Sequence, residues 1–268
     1  MKKFTGFSTV GIIVGILAVA FIGIAGFLVI DGNSRATNYN NYDFFSVISP
    51  DEHNGNIGDH AKVYDSESKK VVDDPEKAKD ANIIIYEYAD FQCPGCASIN
   101  PRVNQAVEES KGKLAVVYRS YLLSYHQNAT AAASAAEAAG RQGYWKPYAD
   151  KLFSEQTEWE YTGSSERTAL FNKYFNEVTD GKGDLERFNS DLASSEVSQK
   201  ISFDMGIGKR IDIQATPAFY VEGQLIEWGS KTGGSVTVGG ETFTWDEALS
   251  GDKFKDLLVN LSSATKAQ

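Results

Sequence analysis

Ile83-Ile84-Ile85-Tyr86-Glu87-Tyr88-Ala89-Asp90-Phe91-Gln92-Cys93-Pro94-Gly95-Cys96 is the stretch on which the reading of this chain turns. From Ile83 to Tyr88 the run is apolar but for Glu87, the pattern of a central strand covered on both faces. That strand points straight at Cys93. Cys93 and Cys96 are the only cysteines among the 268 residues. A bridge between them closes so small a loop that it restrains the unfolded chain only weakly, so the pair reads as chemistry rather than as a staple. Zinc is a poor fit, because two thiols need two more ligands and only His53, His60 and His126 are on offer, none at finger-like spacing.

Outward from the pair, Ala61 to Tyr64 reads as a short edge strand, followed by a charged stretch around Lys69 to Asp80. After Cys96, the apolar residues Ile99, Val103, Ala106 and Val107 recur at helical spacing, and Lys111-Gly112-Lys113 is a stop signal. Leu114 to Leu123 returns to strand character. From His126 the period is 3.6 for about eighty residues. Ala129–Ala139 is an Ala-rich helix, and Trp145, Tyr148 and Leu152 mark a second. Leu170, Phe171, Tyr174, Phe175 and Val178 line a third, Leu185, Phe188 and Leu192 a fourth, with helix resuming toward Met205. These aromatic stripes have core spacing and read as packing, not as a cofactor box.

Strand character resumes at Ala218–Ile226, with Gly223 as its turn, directly after Thr216-Pro217. Val236-Thr237-Val238, Gly239-Gly240 and Glu241-Thr242-Phe243 read as a hairpin. Thr244-Trp245-Asp246-Glu247 reads as a capping box, and Phe254, Leu257, Leu258 and Leu261 as the inner face of a closing helix. The order is β-α-β, helices, β-β, α.

From Val10 to Ile30 no residue is charged, and as a helix at roughly 1.5 Å per residue the run spans the roughly 30 Å core of a bilayer. Lys2 and Lys3 precede it and Asp31 follows, so the N-terminus is expected in the cytoplasm and the rest outside. The alternative is a cleaved signal peptide, with Ala18-Val19-Ala20 as its cleavage site, but the apolar run exceeds the roughly 7 to 15 residues such peptides use. Gly11 and Gly15 form a weak small-xxx-small pair. Asp31 to about His60, rich in Asn, Asp, Gly and Ser, reads as a flexible tether. The expected organisation is therefore a cytoplasmic start and membrane anchor over 1–30, a tether over 31–60, an α/β domain from 61–124 and 211–268, and a helical insertion over 125–210. A formal charge of -10 argues against nucleic acid or anionic lipid as the main partner.

Physically, a cysteine at a helix N-terminus faces unpaired amides and the positive end of the helix dipole, which favour thiolate over thiol. Cys93 is thus the expected attacking sulfur and Cys96, one turn on, the resolving one. The order of elements, Phe91-Gln92-Cys93-Pro94-Gly95-Cys96, the His126 to Ala139 helix, Trp145 to Phe153 and Thr216-Pro217-Ala218-Phe219 resemble the thiol:disulfide oxidoreductases of the DsbA type. The resemblance covers about Asn82 to Leu261 and implies a thioredoxin-like fold interrupted by an all-helical domain.

The same resemblance implies that Thr216-Pro217 is a cis-proline loop pairing its backbone with substrate. The alternative is a trans proline opening an edge strand. It implies that Glu87 lies beneath the disulfide and exchanges protons with the resolving thiol. The alternative is a carboxylate that reaches solvent. Asp90 belongs to the turn, and His126 shapes the start of the Ala-rich helix rather than catalysing. Pro94 and Gly95 complete the active-site loop. Gly95 stands where the best-known members carry histidine, so a donor to the Cys93 thiolate is missing and a potential below DsbA's about -120 mV is expected.

The expected activity is oxidation of reduced, cysteine-containing secreted proteins by a membrane-anchored monomer without a cofactor, reoxidised by a quinone-linked membrane partner. A reductase or isomerase of the same fold is the near alternative. A non-catalytic module presenting the hairpin around Gly233 to Thr242 is an alternative of another class.

Overall fold

The computed structural model describes residues 43–50, 57–229, 233–245, 249 and 251–264. The anchor read at Val10–Ile30 lies outside the described residues, among which no helix is long and apolar enough to cross a membrane. The chain divides at Phe45: Phe45–Gln268 make one unit, and of the other only Asp43 and Phe44 are described.

The apolar run of the opening stretch forms β3 (Ile83–Ala89), and β4 (Leu114–Ser120) pairs with it in parallel, Ile83 opposite Leu114. A parallel pair needs a crossover, supplied by α2 (Pro94–Glu109). β1 (His60–Asp65) runs antiparallel on the far side of β4, and β2 (Lys70–Asp73) lies outside β1, followed by the single turn α1 (Pro75–Ala78). On the other side β5 (Ala218–Val221) runs antiparallel to β3 and β6 (Gln224–Ile226) closes the sheet, giving the order β2-β1-β4-β3-β5-β6.

Helices occupy both sides. Phe254, Leu257 and Leu258 of α9 (Gly251–Leu261) pack with Val103, Ala106 and Val107 of α2 and with Ile83, Ile85 and Phe219 of the sheet. The second core belongs to α3 (Ala129–Gly140), α4 (Trp145–Ser154), α5 (Gln156–Trp159), α6 (Ser164–Val178), α7 (Leu185–Asp191) and α8 (Ser195–Arg210). There Trp145, Tyr148, Phe175 and Phe188 pack fully buried, and Phe91, Cys93 and Cys96 join the same cluster. The aromatic stripes are core, and the dithiol is built into the face of the sheet domain that the helical block covers.

Four expectations are corrected. Ala61–Tyr64 is not an edge: β1 lies between β4 and β2, and the edge is formed by Lys70–Asp73, hidden in a charged stretch whose Val71-Val72 is too short to show alternation. Part of the tether is folded. Ile48 is buried and donates its N–H to Asp59 Oδ2 at 2.9 Å, while Asp59 accepts from the Arg119 guanidinium at 3.0 Å and lies 3.4 Å from Lys200 Nζ. Few apolar residues suffice here because buried charges complete the packing. The capping box does not form: Thr244 and Trp245 belong to β8 (Glu241–Trp245), paired with β7 (Gly234–Val238), and α9 begins at Gly251. Trp245 lies so close over Gly234 that a Cβ there would come within 2.2 Å of its ring, so packing of the hairpin prevails over the local capping signal. Finally, strand pairing ends at Ser120, short of Leu123.

Candidate functional site

The turn between β3 and α2 delivers Cys93 as the N-cap of α2, with extended backbone (φ -77, ψ 121) and Pro94 in the first helical turn. Proline there sacrifices no hydrogen bond, because the first helical N–H groups lack intrahelical partners. The Cys93 N–H donates to the Asp90 carbonyl at 3.0 Å, and the Cys93 carbonyl accepts from Ala97 at 3.1 Å.

The turn is also tied to the helical block, by residues that local sequence reading did not single out. Gln156 Nε2 donates to the Phe91 carbonyl at 2.6 Å and the Cys93 carbonyl at 3.1 Å. Gln92 donates to the Glu160 carbonyl at 2.6 Å and accepts from the Asn128 N–H at 2.7 Å. Asn128 in turn holds the carbonyls of Trp159, Glu160 and Thr162. Asp90, read only as a turn residue, is wholly buried and ties the loop together by accepting from Gln92 N, Leu123 N and His126 Nδ1 at 2.8, 2.9 and 2.8 Å. His126 therefore shapes the approach to α3 through Asp90 and through its own carbonyl, which accepts from Ala129.

The two sulfurs, free thiols 3.7 Å apart, are in unlike environments. Cys93 keeps 7% exposure and Cys96 none. The Cys93 thiol drops from an ordinary 9.0 to about 5, because the Cys96 thiol donates to its thiolate, the Thr216 hydroxyl supports it and the backbone N–H groups of Cys96 and Gly95 point at it; burial opposes these. While protonated, Cys93 donates to the Thr216 carbonyl at 3.3 Å, and the buried Thr216 hydroxyl has no partner, leaving it free to turn to the thiolate. Cys96 is pushed well above the ordinary thiol range by burial first, then by its neighbour Cys93 and by Glu87, against the opposing Asp90 backbone.

Glu87 is fully buried, so its carboxylate does not reach solvent. Neither oxygen has a hydrogen-bond partner; Lys62 Nζ stands 3.7 Å away, an ion pair beyond hydrogen-bonding reach. Burial raises the Glu87 carboxyl above its ordinary range, Lys62 opposes without overcoming it, and Asp150 adds to the rise.

The pairing of Tyr88 with Ala218 places Thr216-Pro217 just beyond the end of β3, beside the cysteine loop. The Thr216–Pro217 peptide bond is cis. A Cβ on Gly95 would lie 3.2 Å from Pro217 Cδ, 3.5 Å from the Trp228 ring and 3.7 Å from Cys93 Sγ. Gly95 is thus small because Pro217 and Trp228 crowd the loop; Trp228, after β6, went unnoticed because a lone tryptophan carries no positional signal. Cys93, Cys96, Pro94, Gly95, Thr216 and Pro217 come together, with Glu87 one layer beneath. Among the described residues no group of three or more His, Cys, Asp or Glu side chains is placed to hold a metal.

A thioredoxin-like sheet, a dithiol at a helix N-terminus and a neighbouring cis-proline define a thiol-disulfide oxidoreductase fold similar to DsbA-like proteins. A family model described as Thioredoxin matches residues 78–234, more than half of the sequence, and the chain belongs to that family. Among curated proteins, a Na(+)/H(+) antiporter NhaA 1 of Mycolicibacterium vanbaalenii is 31% identical over 147 residues, 54% of this chain and 22% of that protein. The NhaA antiporter of Herminiimonas arsenicoxydans is 32% identical over 159 residues, 59% and 24% of the two chains. The chain thus spans less than a quarter of the length of these relatives. Among solved structures, alpha-DsbA1 of Wolbachia pipientis shares the fold at a TM-score of 0.50 and 20% identity, over 76% of this chain and 90% of that one.

Proposed function

We propose that the protein introduces disulfide bonds into reduced proteins outside the cell membrane, with the Val10–Ile30 segment as its anchor and a membrane quinone-linked partner as its oxidant. The observation that carries the chemistry is the asymmetry of the pair: an edge sulfur held as thiolate beside a buried sulfur held as thiol. In the forward reaction a substrate thiolate attacks Cys93 Sγ of the disulfide, the S–S bond breaks, and the Cys96 thiolate that leaves takes a proton. The second substrate thiol, deprotonated, attacks the substrate sulfur of the mixed disulfide. The new substrate disulfide departs with two electrons left on the protein, and Cys93 leaves as the stabilised thiolate. A low-pKa leaving group favours this direction, because it stabilises the reduced protein. Thr216-Pro217, beside Cys93, is the backbone that the incoming substrate strand would pair with.

The antiporter names belong to far longer proteins, and no ion transport is proposed for this chain. The test combines a glutathione redox titration with oxidation of a reduced, unfolded model protein by the oxidised chain. Substrate oxidation that disappears in Cys93→Ser, with a potential well above thioredoxin's about -270 mV, is the expected result. A potential near that value points to a reductase, and undiminished cellular function of Cys93→Ser points to a binding module.

A further inference from the structure

Below Glu87 a polar chain runs through the interior to the surface of the helical block. Lys62, fully buried on β1, donates to Asn100 Oδ1 of α2 at 2.7 Å. Asn100 Nδ2 donates to Asp150 Oδ1 of α4 at 3.0 Å, and Asn104 Nδ2 donates to the same oxygen at 2.9 Å. Asp150 Oδ2 receives Lys146 Nζ at 2.6 Å, and the Asp150 side chain keeps 30% exposure. The Lys62 ammonium therefore has two anionic neighbours: Glu87 at 3.7 Å without a hydrogen bond, and Asp150 through a hydrogen-bonded amide.

This difference matters because Glu87 must change charge during exchange, whereas a buried ammonium left without a partner is costly. When Glu87 takes the Cys96 proton and becomes neutral, Lys62 loses its nearer counter-charge. The Asn100–Asp150 arm keeps it paired and in place.

We propose that Asn100 and Asp150 are positioning residues that seat Lys62 against Glu87, so that α4 of the helical block adjusts the proton exchange at Cys96. This rests on the oxidoreductase reading of the Cys93–Cys96 pair. Asp150 is held ionised: burial works against its charge, but Lys62, Lys146 and Asn100 bring it below the usual carboxylate range. The other groups around Glu87 and Cys96 are already engaged. On β4, Tyr118 donates to the Ala89 carbonyl; Asp90, at the end of β3, holds Leu123 and His126; and on α3, Glu137 is bound by His60. Cys93 faces Cys96 from the start of α2.

The seat makes variants act with opposite sign. Asp150→Asn removes a charge that raises Glu87 and leaves Lys62 freer to approach it, so Glu87 becomes more acidic. Lys62→Met removes the cation, so Glu87 becomes less acidic. The reporting step is resolution of a Cys93–glutathione mixed disulfide: Cys96 passes its proton to Glu87, its thiolate attacks Cys93 Sγ, the mixed S–S bond breaks, and glutathione leaves as thiolate to be protonated.

Reduced full-length protein is mixed with glutathione disulfide in a stopped-flow instrument, and the resolution rate is followed across pH. The acid limb is expected to move down by about half a unit or more in Asp150→Asn, to return in Asp150→Glu, to move up in Lys62→Met, and to vanish in Glu87→Gln. An acid limb unmoved in folded Asp150→Asn, or shifted alike by Asp150→Asn and Lys62→Met, overturns the seat while leaving the oxidoreductase reading intact. Wild-type protein that does not react with glutathione disulfide at all overturns that reading instead.

Discussion

Removing the Cys96 thiol should raise the pKa of Cys93 by an amount the structure sets. The pair is 3.7 Å apart, and the Cys96 donor is the largest influence bringing Cys93 from 9.0 to about 5. A hydrogen bond to a charged group contributes about 1.5–3 kcal/mol, and one pKa unit is about 1.4 kcal/mol. Cys96→Ala should therefore move the Cys93 midpoint up by about one to two units, and Cys96→Ser, which keeps a donor, by much less. The rate of alkylation by iodoacetamide from pH 3 to 10 reads this directly, since only the thiolate reacts. Thr216→Val should give a smaller rise in the same assay, because it removes a lesser donor.

The same value fixes the redox consequence. At pH 7 a thiol with a pKa of about 5 gains about 2.7 kcal/mol over one at 9.0, the two units by which the solution lies below the ordinary value. At about 30 mV per 1.4 kcal/mol for two electrons, the reduced form gains about 60 mV from the Cys93 thiolate alone. A wild-type alkylation midpoint above about 8, or a midpoint unchanged in Cys96→Ala, would refute the assignment of the Cys96 thiol as principal donor.

Gly95→His should raise the redox potential by adding a donor to the Cys93 thiolate, but only after displacing Trp228 or Pro217; a shift in tryptophan emission accompanying the potential change tests the crowding, and unaltered emission counts against it. His60 is held between Asp73 and Glu137 at 2.7 and 3.0 Å, and although burial pulls its pKa down, the two carboxylates raise it from 6.5 to about 10. The folded-state value is the higher one, so the stabilisation is whole below pH 6.5 and fades as pH rises through about 10; the melting-temperature gap between wild type and His60→Gln should narrow across that window. Arg119→Met strands the buried Asp59 carboxylate with Lys200 as its remaining ion-pair partner, and a loss of about 3–5 kcal/mol in denaturant unfolding is expected.

How much could be read beforehand depended on how local each signal was. β3, the CxxC turn, α2 and the Thr216-Pro217 loop are written in contiguous residues, where an apolar run, a proline at a helix start or an X-Pro pair carries its own physical constraint. The aromatic helices were equally plain, because 3.6-residue spacing of Trp145, Tyr148 and Leu152 needs no partner to be recognised. β2 escaped because four residues cannot establish a period, and the capping box misled because Thr244 and Trp245 have a better partner in β7 than in the helix they precede. Phe45 to His60 was taken for tether on composition, yet one buried aspartate, Asp59, binds it to Arg119 and Lys200.

The electrostatic half of the site shows why some of it had to be hidden. A lysine alternating with Ala61 and Val63 in a strand reads as the solvent side of an edge, and nothing within β1 distinguishes Lys62 from such a residue. What buries it is β2, which moves β1 into the sheet, together with Asn100 from α2, which supplies a hydrogen-bond acceptor. Asn100 in turn depends on Asp150, far along the chain on a helix whose apolar stripe concerns other residues. Each polar side chain is unremarkable in its own segment and acquires meaning only when three elements close around it. A buried charge is tolerable only when such partners are supplied from elsewhere in the fold. The sulfur chemistry was therefore legible at Cys93 and Cys96, whereas the residues that set the proton balance beneath them became identifiable only with the tertiary contacts.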